Sequence, residues 1–300
     1  MRILRDPALA GPCVLILGMF DGVHRGHQAL LMRGAELAEA HELPLVVCTF
    51  EPHPLEVLMP DRAPKRLTTP AERAGLMASF GVDDLCVHTF THELASRTPE
   101  AFARMLTEIY QPRYVVCGFN FTFGREGRGN GSLLCAYGAA HGFETCVIPA
   151  VEVDGETVSS TRARKALEGG DIRALSRMLG HAWTLTGLAE DAENIAGAVR
   201  VDGPAVKALP ACGVYACYLS LRDGESFRAM VQVSRTTEED SPKAVTALLL
   251  DERVKLAGET VRLTFMECLR PAKRFDSPEA YTAQLQQDAE TAKAFFARIE

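Results

Sequence analysis

The sequence predicts an α/β chain in two parts: a parallel sheet flanked by helices, then a small antiparallel β-barrel with a C-terminal helix. Three observations predict it. Up to residue 182, short apolar runs alternate with segments of helical period, the pattern of βα units whose strands are covered on both faces. From Trp183 the runs become short and strand-like, separated by Gly, Pro or charged turns, as in a small barrel. All eight histidines precede Trp183, so imidazole chemistry belongs to the first part. At 300 residues two domains are expected, 1–182 and 183–300.

In chain order the first part offers strand-like VLILGMF at 14–20, helical HQALLMRGAELAEAH at 27–41, PLVVCTF at 44–50 and DLCVHTF at 84–90. Helical PEAFARMLTEIY at 99–110, YVVCGF at 114–119 and TCVIP at 145–149 follow. In open sheets of this kind ligands sit beyond the carboxyl ends of the strands, which directs attention to the segments after Phe20, Phe50 and Phe119. The second part offers six strand-length runs: WTLTGLA, AGAVRV, GVYACYLSL, FRAMVQV, AVTALLL and TVRLTF. Ser277 as N-cap and Pro278 at the first helical position then open a closing helix toward Ile299.

Hydrophobic residues at 47% and a mean hydropathy near zero match an ordinary globular chain and exclude disordered or fibrous classes. With 32 basic and 39 acidic side chains the net charge is −7, so the basic field behind non-specific nucleic-acid binding is missing. No nucleic-acid partner is expected, and an anionic ligand must be met by local donors. No apolar run approaches the roughly 18 residues of a membrane span, so no membrane partner is expected either. Pro7 and Pro12 interrupt the basic-then-apolar start and no small-residue cleavage site follows, which argues against a signal peptide. The nine cysteines are odd in number, lie mostly in apolar runs and form no CxxC pair. Neither a disulfide framework nor a structural zinc site is expected, and a reducing cytoplasm is the simplest setting.

The run GMFDGVHRGHQ, Gly18 to Gln28, stands where the first strand hands over to a helix. Gly22 and Gly26 let the backbone approach a bulky anion, with the helix N–H groups pointing at it. His24 and His27 lie one helical turn apart and can both donate to its oxygens. Such a site suits attack on the α-phosphorus of a nucleoside triphosphate, where the protein positions groups and stabilises developing charge. The plainer reading of a bare HxGH is two incidental histidines, and a metal site lacks a third ligand nearby.

Three further motifs carry chemistry. VSSTRAR, Val158 to Arg164, sets Ser159, Ser160 and Thr161 at a helix start with Arg162 and Arg164 close behind, a second phosphate clamp. GFNFTFG puts Asn120 just after an apolar strand among Phe119, Phe121 and Phe123, where aromatic faces suit a flat ring and the amide suits phosphate or ribose oxygens. TFEPHP offers Phe50, His53 and Pro54 on a rigid extended turn.

In order and spacing these four motifs resemble the FMN adenylyltransferase domain of the bacterial bifunctional riboflavin kinase/FAD synthetase family. The resemblance implies an HxGH nucleotidyltransferase fold, a Rossmann-like parallel sheet, with ATP and FMN as substrates, magnesium (Mg2+) accompanying ATP, and FAD and pyrophosphate as products. It implies catalytic roles for His24, His27, Asn120 and Arg164. Substrate-binding roles follow for Gly18, Phe20, Asp21, Gly22, Gly26, Phe50, His53, Pro54, Phe121, Phe123, Ser159, Ser160, Thr161 and Arg162. The metal ligands are not identified by it.

The second half also resembles the family, whose riboflavin kinase domain is a small barrel with a terminal helix. The clearest matches are Leu209 to Leu219, Leu250 to Phe265 and Leu269 to Ala292. Yet between Gly187 and Pro210 the family carries a glycine-rich turn and a Pro-Thr-Ala-Asn element for ATP and magnesium, and this chain has neither. Thr246 stands where the family has its catalytic glutamate, and Leu248 where a histidine is usual. The expectation is an FAD synthase with a kinase-inactive barrel. The alternatives are a bifunctional enzyme using Asp251 or Glu252 as base, a non-catalytic flavin or nucleotide sensor, and a related transferase with another phosphorylated acceptor.

Overall fold

The computed structural model describes residues 1–7, 11–192, 195, 197–235, 243–251 and 254–299. The chain divides into two units, Met1–Ser159 and Ser160–Glu300. In the first unit the strands are β1 (Arg2–Arg5), β2 (Val14–Leu17), β3 (Leu45–Glu51), β4 (Asp84–Thr89), β5 (Tyr114–Gly118), the short pair β6 (Thr122–Phe123) and β7 (Gly129–Asn130), and β8 (Glu144–Ile148). A small hairpin, β9 (Glu152–Val153) and β10 (Glu156–Thr157), follows. The helices are α1 (Arg25–His41), α2 (Pro54–Leu58), α3 (Pro70–Ala78), α4 (His92–Ser96), α5 (Pro99–Tyr110) and α6 (Gly131–His141).

Six strands form one parallel sheet in the order β1-β4-β3-β2-β5-β8. The strand order reverses about β2, the most buried strand, so the chain leaves the neighbouring strands β2 and β5 into a crevice at their carboxyl ends. Side-chain alternation divides the core in two. Val14, Ile16, Leu45 and Val47 pack with Leu30 and Leu31 of α1 and Met77 of α3. Leu15, Leu17, Val46 and Cys48 pack with Phe102, Leu106 and Tyr110 of α5 and Leu134 of α6. Burial pushes the thiols of Cys13, Cys48 and Cys117 up to about 12, so these are core groups and not nucleophiles.

Several elements escaped the sequence reading, and in three places the local cause is plain. Strand β1 is an edge strand whose Arg2 forks onto Asp84 at 2.6 and 2.7 Å. Helix α3 starts with a capping box between Thr69 and Glu72 and Pro70 at its first position, a signal present in TPAE. The β9–β10 hairpin turns through Asp154 and Gly155, both at positive φ, as an Asp-Gly pair favours.

The second unit opens with α7 (Ser160–Gly169) and α8 (Ile172–Leu179). The six expected strands then close a barrel in the order β11-β12-β15-β14-β13-β16. Their ranges are β11 (Thr184–Asp191), β12 (Ala198–Asp202), β13 (Gly213–Ser220), β14 (Ser226–Ser234), β15 (Ala244–Leu249) and β16 (Thr260–Pro271). The compact units divide at 159/160, whereas the sequence reading set its border at 182/183, because α7 and α8 group with barrel elements. Helix α8 buries Ile172, Leu175, Met178 and Leu179, Arg173 pairs with Glu267 of β16, and the Ala211 amide donates to the Leu167 carbonyl. Helix α9 (Pro278–Phe296) starts at Ser277, whose hydroxyl accepts the Ala280 amide hydrogen. It docks through Phe295, Phe296 and Ala292, and through buried Asp288, which receives the Arg270 guanidinium at 2.7 and 2.6 Å.

Candidate active site

The turn after β2 is built by backbone conformations that the sequence disguises. Phe20 and Val23 adopt positive φ of 58° and 38° beside Gly22 at 82°. That geometry turns Phe20 inward, where it is fully buried against the Gly18 backbone. Phe20 packs in the core and supports His27, 5.1 Å from it ring to ring. The Asp21 carboxylate accepts the Leu67 and Thr68 amides, and the Gly22 amide donates to Thr68 Oγ1 at 3.0 Å. These contacts clamp the turn onto segment 67–68. Gly26 has a different reason as well, since a Cβ there would lie 3.1 Å from the His24 ring.

His24 caps α1, its Nδ1 accepting the His27 amide at 3.3 Å, so the ring proton resides on Nε2. The two imidazoles stack at 3.6 Å. Burial, then His24, then Arg73 push the His27 pKa well below the usual histidine range, which makes it a neutral donor. Its Nδ1 is buried without a hydrogen-bond partner among the described residues.

Beside this turn lies a cleft of about 370 Å³. Gly18 and Met19 line it from the turn after β2, Phe50 and Pro54 from β3 and α2, Phe121 and Phe123 from the segment after β5. Phe90, Leu94 and Phe102 complete the walls, and the sequence reading missed them. Phe90 ends an apolar run, the signal that could have found it; Phe102 carries none, since it sits mid-helix. Phe123 is the buried floor, stacked between Phe102 at 5.2 Å and Phe121 at 5.7 Å, and Gly129 leaves space for it.

Beyond the histidine turn, His53 and Asn120 also stand outside the cleft lining. His53 caps α2, accepting the Leu55 amide at Nδ1. Asn120 is exposed in the turn after β5, at the strand exit neighbouring Gly18. In the second unit Ser160, Thr161, Arg162 and Arg164 occupy the first turns of α7, and Ser159 directly precedes it.

In the barrel, Thr246 pairs in register with Arg200 of β12 and Gln232 of β14. Leu248 packs with Val214, Met230 and Ala292. Asp251 receives Arg228 at 2.7 Å, while Glu252 lies outside the described residues. Where a phosphate cradle was sought, Lys207 is buried with Nζ 5.1 Å over the Trp183 ring.

A family model described as FAD synthetase matches residues 6–162, just over half of the chain. The chain belongs to the FAD synthetase family. A riboflavin kinase model matches residues 199–296, within the barrel and α9. The FAD synthetase chain is 32% identical to a bifunctional riboflavin kinase/FMN adenylyltransferase of Pseudomonas fluorescens, over 95% of this chain and 93% of that protein. A protein of the same description from Listeria monocytogenes is 29% identical, over 96% and 93%. A crystal structure described as a macrolide-efflux protein from Streptococcus pneumoniae superposes with a TM-score of 0.88 at 26% identity, covering 97% of this chain and 98% of that one. In this FAD synthetase family member no helix of the described residues is long and apolar enough to cross a membrane.

Proposed function

We propose that this chain is an FMN adenylyltransferase: a phosphate oxygen of FMN attacks the α-phosphorus of ATP, the bond to the β-phosphate oxygen breaks, and FAD and pyrophosphate form. One observation carries this reading. Gly18 and Met19, which begin the histidine turn, also line the aromatic cleft, so a flat ring and a reacting phosphate have adjoining places. Phe50, Phe102, Phe121 and Phe123 supply apolar faces for the isoalloxazine. His24, through Nε2–H, and neutral His27 donate to the phosphoryl oxygens as charge develops, a preorganised arrangement that needs no covalent nucleophile. Arg164, Arg162 and the Ser159–Thr161 hydroxyls are assigned to the triphosphate, and Asn120 to phosphate or ribose oxygens, on their residue types.

Among the described residues no cluster of three His, Cys, Asp or Glu could hold a metal ion, and Asp21 is committed to backbone amides. Magnesium is proposed to accompany ATP as Mg–ATP, and no protein ligand is assigned to it. Nine free cysteines accord with a cytoplasmic setting. Incubating FMN with ATP, with and without divalent cation, and separating products by chromatography tests the reading. FAD and pyrophosphate are expected only with the cation, and no FAD under any metal would overturn it.

The barrel is proposed to be inactive as a riboflavin kinase. Thr246 has no carboxylate, Leu248 no imidazole, and the Asp251 carboxylate is engaged by the Arg228 guanidinium. The bifunctional reading is favoured by the kinase model match and by the description of the relatives. A cleft of about 470 Å³ lined by Gln232, Arg235, Arg270, Lys273 and Phe275 leaves the barrel a place for an anionic aromatic ligand in either case.

A further inference from the structure

Arg73 is a buried guanidinium, 4% exposed, that the proposed chemistry leaves unused. It projects from α3 to the sheet edge, where Nη1 donates to the Met19 carbonyl at 3.0 Å and Nη2 to Glu51 Oε1 at 2.6 Å. Thr49 Oγ1 reaches the same carbonyl at 3.5 Å. Met19 begins the turn that ends in His24. Glu51 ends β3 and begins the turn that places Pro54. Both turns line the cleft, through Met19 on one side and through Phe50 and Pro54 on the other. The Nε of Arg73 is buried without a hydrogen-bond partner among the described residues. An interior donor left unpaired is costly, and ordinary packing would avoid it. A hydrocarbon side chain at this helix position would fill the core without that cost, so the guanidinium answers another requirement.

We propose that Arg73 is a positioning residue for adenylyl transfer: by gripping the Met19 carbonyl and the Glu51 carboxylate together, it holds the histidine turn and the flavin-side turn in one register. The proposal rests on the reading that the cleft takes the flavin and the histidine turn takes the reacting phosphate. Each substrate has its own turn and can bind without the strut. What the strut supplies is the alignment of the FMN phosphate oxygen with the α-phosphorus of ATP, so its loss falls on turnover and not on either binding step. A planar fork suits the task, because one ammonium cannot span two acceptors in fixed directions. Its charge also acts on His27. The titratable and charged groups acting on that ring are His24, stacked on it from the same helix, and Arg73 from α3.

The test uses the full-length protein and steady-state FAD formation with FMN and Mg–ATP varied separately. Arg73→Lys keeps the charge and loses the fork. It is expected to lower kcat at least about tenfold while both KM values stay within about threefold. The double substitution Arg73→Met with Glu51→Leu removes both charges; Arg66, which also approaches Glu51, keeps Glu56 at 2.7 Å, so no buried charge is left without a partner and the fold is retained. It should lose turnover to a similar extent per folded molecule. Histidine-selective NMR gives a readout that mere loss of stability would not move: the His27 titration midpoint should stay in place in Arg73→Lys and rise in the double variant. Retention of kcat within about twofold in both variants, or a loss confined to KM, overturns the proposal. Failure of the underlying reading looks different, since His24→Ala and His27→Ala would then also be silent.

Discussion

The amide of His27 donates to the ring of His24, and the same two rings stack at 3.6 Å. One contact thus fixes a tautomer, a helix start and the spacing of two donors. The arrangement explains why three residues must separate them: a cap accepts from the third residue of its helix, and that residue then faces the same side.

Substituting either histidine should therefore damage the transition state more than binding. His24→Ala or His27→Ala is expected to lower kcat about 10²–10³-fold, or about 2.7–4 kcal/mol, with little change in the KM for FMN. Arg164→Ala should instead raise the KM for ATP as well, because a triphosphate clamp already acts in the ground state. Steady-state kinetics with each substrate varied separately checks both.

The floor of the cleft can be raised without substituting any residue proposed to contact the flavin. A Cβ on Gly129 would lie 2.6 Å from the Phe123 ring. Gly129→Ala should push that ring toward the cleft, with about 1–3 kcal/mol of overpacking strain and a KM for FMN higher by roughly tenfold. An unchanged FMN affinity by fluorescence titration would show that Phe123 is no part of the flavin site.

Acid should destabilise the first unit through two histidines. Burial lowers the pKa of both His27 and His88 below the ordinary value. The unfolded chain then binds more protons than the native one, so stability is fully present above about pH 6.5 and is lost as pH falls below it toward the folded values. Urea midpoints should drop between about pH 7.5 and about pH 5.5, and less so in His27→Gln/His88→Gln. Equal drops in both proteins would place the acid sensitivity elsewhere.

Riboflavin incubated with the protein, ATP and magnesium should give neither FMN nor FAD. A kinase needs a base for the ribityl hydroxyl and a cradle for the nucleotide, and Thr246 and buried Lys207 occupy those regions here. Thr246→Glu should not restore the reaction, since the cradle would still be missing. FMN formation above a protein-free control, by chromatography, decides for a bifunctional enzyme.

What the sequence determined by itself was whatever depends on spacing between near neighbours. Apolar runs and helical periods located five of the six sheet strands, the six barrel strands and the capped final helix, because side-chain period and local caps are properties of short segments. HxGH located the histidine pair for the same reason. Only the tertiary structure decided which residues reach the cleft. Phe20 stands inside the motif yet turns into the core, because the backbone there takes a positive φ that Asp21 and Thr68 hold in place. Phe102 stands far from every motif yet forms a wall, because α5 packs across β3 and β5. Arg73 lies 54 residues from the Met19 carbonyl it grips, and no local pattern announces a contact across that distance. Helices α7 and α8 likewise follow the last strand of the sheet in sequence but pack on the barrel, since burial of an apolar face is settled by whichever surface completes it.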